Sequence, residues 1–179
     1  MFKNINLKKV AIFIITLFIL LFIYLIKIYV SYEPKKLVEN INYSKIVLDR
    51  NGEILSVFLN KDEEFHLKYE GDIPETLKLA VLNYEDKKFY SHSGVDYPRI
   101  LKSFFNNITG GKKMGASTIS MQVVKLLEPK KRTYFNKLIE IVKAYKLESQ
   151  FSKEEILKIY LNIIVIRLTI ELTFCIILL

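Results

Sequence analysis

The sequence predicts a mainly helical domain carrying a small β-hairpin and preceded by one N-terminal apolar helix. Three observations lead there. Residues Val10 to Val30 form a nearly unbroken apolar run interrupted chiefly by Thr16 and Lys27. Two runs rich in β-branched and apolar residues flank an Asn51-Gly52 pair, the strongest short hairpin signal. From Asp72 onward the apolar residues recur at helical spacing between capping residues.

The first element is long enough to cross a bilayer, since about 20 helical residues span the ~30 Å hydrocarbon layer. A cleaved signal peptide would have a shorter apolar region and small residues at its exit. This run instead leaves through Tyr29-Val30-Ser31-Tyr32-Glu33-Pro34. Lys3, Lys8 and Lys9 precede it with no acid among them. The positive-inside rule therefore places residues 1–9 in the cytoplasm as a short tail and the rest of the chain beyond the membrane. Residues 31–44 read as a polar connector. The hairpin follows, over Lys45–Leu48 and the stretch after Gly52, and Phe65-His66-Leu67 reads as a further short strand.

Asp72 is the expected cap of the next helix, with Pro74 in its first turn and Leu77, Ala80, Val81 and Tyr84 on its apolar side. That helix is expected to end near Glu85. A second helix is expected over Ile100–Ile108, closed by Gly110-Gly111. Ser117 or Thr118 caps a third, with Ile119, Val123 and Leu126 turned inward and Pro129 beyond its end. A fourth runs over Tyr134–Phe151 with two stripes: Leu138, Ile141, Val142, Tyr145, and Glu140, Ala144, Leu147, Phe151. Ser152-Lys153-Glu154-Glu155 is a capping box that opens a fifth.

Net charge is +8 over 179 residues, and just over half of the residues are apolar. The charge fits a solvated surface with membrane-flanking lysines, or an anionic partner such as lipid headgroups or a phosphate-bearing substrate. An outward-facing anchored domain excludes nucleic acid. The single cysteine, Cys175, excludes an intrachain disulfide.

Residues with chemical potential crowd between Glu85 and Lys125. Glu85 and Asp86 stand at a helix end, and Phe89, His92, Gly94 and Asp96 follow at set offsets. Gly94 permits a tight turn, and His92 can orient a carboxylate. Gly110 to Gly115 has phosphate-loop spacing, but Ala116 occupies the position of the loop's lysine and no strand precedes it, so a nucleotide loop is rejected. Thr118, Gln122 and Lys125, spaced i, i+4, i+7, are expected to share one face at a helix start, where a hydroxyl, an amide and an ammonium can hold an anion. Glu140 projects from a mostly apolar stripe and, in a cleft, needs a partner. Two carboxylates from separate elements facing a basic polar face form the layout for proton abstraction beside an anionic leaving group. Metal-ligand spacing is absent, as is the Ser-x-x-Lys of acyl-enzyme transpeptidases.

Three ordered motifs resemble the peptidoglycan glycosyltransferases, family 51, which occur as monofunctional enzymes and in class A penicillin-binding proteins. They are Glu85-Asp86-x-x-Phe89-x-x-His92-x-Gly94, then Gly115-x-Ser117-Thr118-x-x-x-Gln122-x-x-Lys125, then Lys137-x-x-Glu140-x-x-x-Ala144-x-x-Leu147-Glu148 with Ser152-Lys153-x-x-Ile156-Leu157-x-x-Tyr160-Leu161-Asn162. Met121, where many members carry a second Gln, is a point of similarity to the penicillin-binding protein 1C branch. The resemblance implies a lysozyme-like helical domain, residues 45–162, on the outer face of a bacterial cytoplasmic membrane and held by a single-pass anchor, residues 10–30. It implies lipid II as substrate and the lipid-linked glycan as donor, with undecaprenyl pyrophosphate released. Glu85 is implied as general base on the acceptor 4-hydroxyl. Glu140 is implied to assist at the pyrophosphate through a divalent cation, Mg or Mn. Asp86, Phe89, His92, Thr118, Gln122 and Lys125 are implied as substrate-binding residues, and other cell-wall synthesis proteins as partners.

Two departures stand out. Asn136 occupies a position where the family often has Arg. After Asn162 the expected Pro/Tyr/Gly-containing turn is replaced by residues 163–179, an apolar tail containing Arg167 and Glu171. The tail is expected to be a frameshift or gene-fragment product, with a second membrane segment as the alternative. The competing readings of function are a truncated, membrane-anchored fragment that binds lipid II or acts as a scaffold, and a lysozyme-like glycan-cleaving enzyme.

Overall fold

The computed structural model describes residues 7–61, 63, 68, 70–110 and 115–164. The expected strand at 65–67, Gly111 and the stretch 165–179 lie outside the described residues. Within them the chain is mainly helical with one two-stranded sheet.

Helix α1 spans Leu7–Ser31, and its large apolar side chains from Val10 to Val30 stay mostly exposed. Its segment Lys8–Ser31 has a mean hydropathy of 2.8 and none of it is buried. At 1.5 Å per residue this helix is about 37 Å long, enough to cross a bilayer. Its C-terminal part runs beside a later helix, α6 (Tyr134–Glu148): Tyr24 stacks on Phe135 with ring centroids 5.8 Å apart, and the Lys146 ammonium lies 4.8 Å from the Tyr29 ring. The expected connector contains a short helix, α2 (Pro34–Glu39), started by Pro34, whose fixed φ suits a first turn.

Strands β1 (Lys45–Leu48) and β2 (Ile54–Phe58) pair antiparallel, with Lys45 opposite Phe58 and an irregularity after Val47. Asp49 organises the turn. Its carboxylate accepts from the backbone N–H groups of Asn51 (2.7 Å) and Glu53 (2.8 Å), while Gly52 takes the left-handed conformation at φ +85°. The hairpin's apolar side chains remain largely exposed.

Helix α3 spans Glu75–Glu85, not from Asp72. Pro74 is its extended N-cap residue, and Pro74 also disfavours helical geometry at Ile73, so the helix cannot start earlier. The expected inward face is also corrected. Leu77, Ala80 and Tyr84 are exposed, Tyr84 at 87%, and the half-buried side is Lys78, Val81, Leu82 and Glu85. After a short 3-10 turn, Phe89–Ser91, helix α4 runs Tyr97–Ile108. It begins three residues before the expected Ile100 because Asp96 caps it, accepting from the Arg99 N–H at 3.0 Å, with Pro98 in the first turn.

The core lies between α5 (Ile119–Leu127), α6 and α7 (residues 153–164). Ile119, Met121, Val123, Ala144, Leu147, Ile156, Leu157 and Tyr160 form it, with Phe89 and Val95 from the preceding loop. Met121 is wholly buried, so its identity answers to packing. Helix α6 stops at Glu148 instead of Phe151. The capping box at Ser152 requires the chain to leave helical geometry first; the Glu155 carboxylate accepts from the Ser152 N–H (2.7 Å), and the Glu155 N–H donates to Ser152 Oγ (3.3 Å). Of the two stripes expected on α6, the second faces the core, where Ala144 and Leu147 are joined by Ile139 and the Lys143 stem.

Gly94 lets two parts of this core meet. It sits at φ +84°, and a Cβ there would lie 3.1 Å from the Ala144 carbonyl carbon, inside ordinary contact distance with α6 backbone.

Candidate active site

The last turn of α3 delivers Glu85 to a half-buried position facing α5. The Gln122 amide donates to Glu85 Oε2 at 2.7 Å, and the Tyr160 hydroxyl donates to Gln122 Oε1 at 3.2 Å. The tyrosine therefore fixes which end of the amide meets the carboxylate. Burial, and then the charge of Glu85, push the Tyr160 hydroxyl well above its ordinary pKa, so it stays a donor. Arg99 clamps the backbone here: Nη1 donates to the Glu85 carbonyl (2.6 Å) and Nε to the Gly115 carbonyl (3.1 Å).

Beneath Glu85 lies a buried polar scaffold. The Asp86 side chain is fully enclosed. It accepts from His92 Nε2 (3.0 Å) and from the N–H of Ile119 (3.1 Å), and the Arg99 guanidinium lies 4.0 Å away. Thr118, the N-cap of α5, accepts from the Met121 N–H (3.2 Å) and donates to the Gly94 carbonyl (2.6 Å). Ser120 donates to Glu148, which also accepts from Lys153 at 2.6 Å, and the Lys153 ammonium sits 4.4 Å from the Phe89 ring.

A second carboxylate stands on α6. Lys137 donates both to Glu140 Oε2 (2.8 Å) and to Ser117 Oγ (2.7 Å). Residues 115–125 thus touch both acids: Gln122 meets Glu85 directly, and Ser117 reaches Glu140 through Lys137. Lys125 is exposed and forms no ion pair among the described residues. Asn136, in place of the family's Arg, is spent locally, its amide donating to the Lys131 carbonyl at 2.7 Å.

The expected site residues therefore separate by position. Glu85, Gln122, Lys125 and Glu140 offer polar atoms at the surface or half-buried. Asp86, Phe89 and Thr118 do not: Phe89 is 1% exposed and Thr118 wholly buried, and their groups are committed to packing or capping. The expectation that Thr118, Gln122 and Lys125 present one common face fails at Thr118, because a cap side chain turns back onto its own helix start. His92 is mostly enclosed behind Asp86. Arg99, Lys137 and Tyr160 were not expected as site residues. Lys137 and Tyr160 at least fall within the third motif, whereas no spacing rule links Arg99 to residues 85 and 115.

Among the described residues no cluster of three or more His, Cys, Asp or Glu side chains is placed to hold a metal. Glu140 keeps one carboxylate oxygen beyond its Lys137 contact. A hard cation there fits the common pattern of one carboxylate completed by substrate phosphate oxygens.

A protein-family model described as Transglycosylase matches residues 51–171. The match begins at the hairpin turn, contains both acids, Gln122 and Tyr160, and runs into the stretch after Asn162 that the sequence motifs left unmatched. Penicillin-binding protein 1A of Neisseria cinerea is 38% identical over 118 residues, 65% of this chain and 14% of that protein. The protein of the same name from Neisseria gonorrhoeae is 36% identical over 118 residues, with the same coverage. The one from Clostridium perfringens (strain 13 / Type A) is 34% identical over 133 residues, 71% of this chain and 19% of that protein. The chain thus spans less than a fifth of the length of these relatives. With the match carrying the whole Glu85–Gln122–Tyr160 arrangement, the chain belongs to the transglycosylase family, the family 51 glycosyltransferases that its motifs resemble.

Proposed function

We propose that this chain is a peptidoglycan glycosyltransferase that polymerises lipid II at the outer face of a bacterial cytoplasmic membrane, with α1 as its anchor. The observation that carries the reading is the half-buried Glu85 carboxylate held by Gln122 and, through it, by Tyr160. A carboxylate oriented in this way suits a general base. In the proposed step the acceptor 4-hydroxyl gives its proton to Glu85 as its oxygen bonds to the donor's anomeric carbon. The bond from that carbon to the pyrophosphate oxygen breaks on the opposite side, inverting the centre, and undecaprenyl pyrophosphate leaves. Lys125, exposed and without an ion pair among the described residues, would face the departing charge, and Lys137 is a second ammonium beside Glu140. Glu140 is the residue that would hold a divalent cation, whose contribution would be to neutralise pyrophosphate charge. Asp86, Phe89, His92 and Thr118 serve in this reading as the scaffold that fixes Glu85 and α5.

The test is to incubate the full chain in detergent with lipid II and, separately, with finished glycan. Polymer and released undecaprenyl pyrophosphate are expected from the first and no product from the second. Cleavage of finished glycan would point to the hydrolase reading. Retention of lipid II without product would point to the scaffold reading.

Tyr160→Phe keeps the ring and removes only the hydroxyl that fixes the Gln122 amide. Polymerisation is expected to fall about tenfold, the worth of one hydrogen bond of about 1.4 kcal/mol, with the urea midpoint nearly unchanged. A parallel fall in stability and rate would instead make Tyr160 a packing residue.

A further inference from the structure

Arg99 stands in the first turn of α4, where its N–H donates to the capping Asp96 carboxylate at 3.0 Å. Its backbone is thus fixed, and its side chain leaves the helix to reach two other segments. Nη1 donates to the Glu85 carbonyl at 2.6 Å, and Nε donates to the Gly115 carbonyl at 3.1 Å. The Glu85 carbonyl is one of the last four of α3, which lack an intrahelical donor. Gly115 opens the segment that leads into Thr118, the N-cap of α5.

These two carbonyls belong to the segments that bring Glu85 and Gln122 together. Glu85 is the last residue of α3, Gln122 belongs to α5, and their side chains meet at 2.7 Å. A hydrogen bond of that length holds only while the two backbones keep their spacing. Asp86 supplies one tie between them, through the Ile119 N–H. Arg99 supplies another from a less enclosed position: its side chain is 27% exposed, whereas that of Asp86 is fully enclosed. The competing task for Arg99 is to neutralise Asp86. The guanidinium lies 4.0 Å from that carboxylate, outside hydrogen-bonding range, whereas both carbonyls lie within it. The geometry favours the carbonyls.

We infer that Arg99 is a positioning residue for sugar transfer: by joining the carbonyls of Glu85 and Gly115, it holds the Glu85 carboxylate at the Gln122 amide. A guanidinium suits this task because its donors sit on separate nitrogens of one rigid plane, whereas an ammonium carries all of its donors on one atom. Arg99 touches no reacting atom here and acts through Glu85. The inference rests on the reading of Glu85 as general base.

The experiment compares Arg99→Lys and Arg99→Gln in the full chain, each alone and each combined with Glu85→Gln. The readouts are lipid II polymerisation in detergent and urea unfolding. Lysine keeps the charge near Asp86 but has a single donor atom. Glutamine loses the charge and keeps a donor. Both single variants are expected to lower kcat about tenfold, as for loss of one hydrogen bond from a charged group, with KM within about twofold of the wild type. In the Glu85→Gln background the same substitutions should change the residual rate by less than about twofold, because no base is left to position. Near-wild-type kcat in Arg99→Lys with a low kcat in Arg99→Gln would make Arg99 the counter-ion of Asp86 and overturn the inference. An equal fall in the Glu85→Gln background would also overturn it, since Arg99 would then act independently of Glu85. Unchanged kcat in both variants with a lowered urea midpoint would reduce Arg99 to a part of the fold. Wild-type polymerisation by Glu85→Gln alone would remove the base itself, a failure of the underlying reading that is distinct from the other three.

Discussion

If Glu85 is the proposed general base, replacing it by Gln is expected to lower the rate of lipid II polymerisation about 10³-fold, a barrier increase of about 4 kcal/mol, and to leave the fold intact. The separation of effects follows from how Glu85 is held. Among the described residues its side chain receives one hydrogen bond, from the Gln122 amide, and a glutamine oxygen can accept that bond as well. The contact that fixes the backbone comes from Arg99 to the Glu85 carbonyl, and it does not involve the side chain. What the substitution removes is the capacity to take a proton. Lipid II affinity should therefore stay within about threefold, well under 1 kcal/mol, and the urea unfolding midpoint should be near that of the wild type. Rate and binding measured on the same preparation check this. Glycan synthesis by Glu85→Gln at the wild-type rate would remove Glu85 from the role of base.

Features written into a few consecutive residues were legible in the sequence. The Ser152–Glu155 box holds its donors and acceptors within four residues, and both bonds form. Gly52 supplies a left-handed turn between two strand-forming runs. Features set by distant partners were not legible. The apolar spacing of α3 fits a helix, but its orientation is decided by contacts that appear nowhere in residues 75–85: Gln122 on the Glu85 side chain and Arg99 on its carbonyl. These turn Glu85, Lys78 and Leu82 inward and leave Tyr84 in solvent. The same holds within the first motif. Its spacing drew attention to Asp86 and His92, but that Asp86 binds the first N–H of a helix 33 residues later belongs to the tertiary fold. Residues that recur in a motif for the scaffold look, in sequence, the same as those that recur for chemistry, and only burial separates Phe89 from Glu85.

Asp86→Ala is expected to cost about 3–5 kcal/mol of stability, the range for removing one member of a buried, charge-assisted network. The enclosed Asp86 carboxylate answers three groups at once: the His92 ring, the Ile119 N–H and the Arg99 guanidinium. Alanine leaves a buried ring nitrogen and a buried backbone N–H without acceptors. Against a typical domain stability of about 5–15 kcal/mol, that loss is large enough to appear as a displaced urea midpoint in the full chain. Asp86→Asn preserves the volume and one acceptor oxygen but turns an amide N–H₂ toward one of the donors, so it should lose about 1–3 kcal/mol. A loss below about 1 kcal/mol in the alanine variant would contradict the scaffold role. The consequence for the site follows from the Ile119 bond. It anchors the first turn of α5, and Gln122 stands less than one turn further on. The fraction of Asp86→Ala that stays folded should therefore also transfer sugars slowly, because the amide that orients Glu85 has lost the fixed end of its own helix.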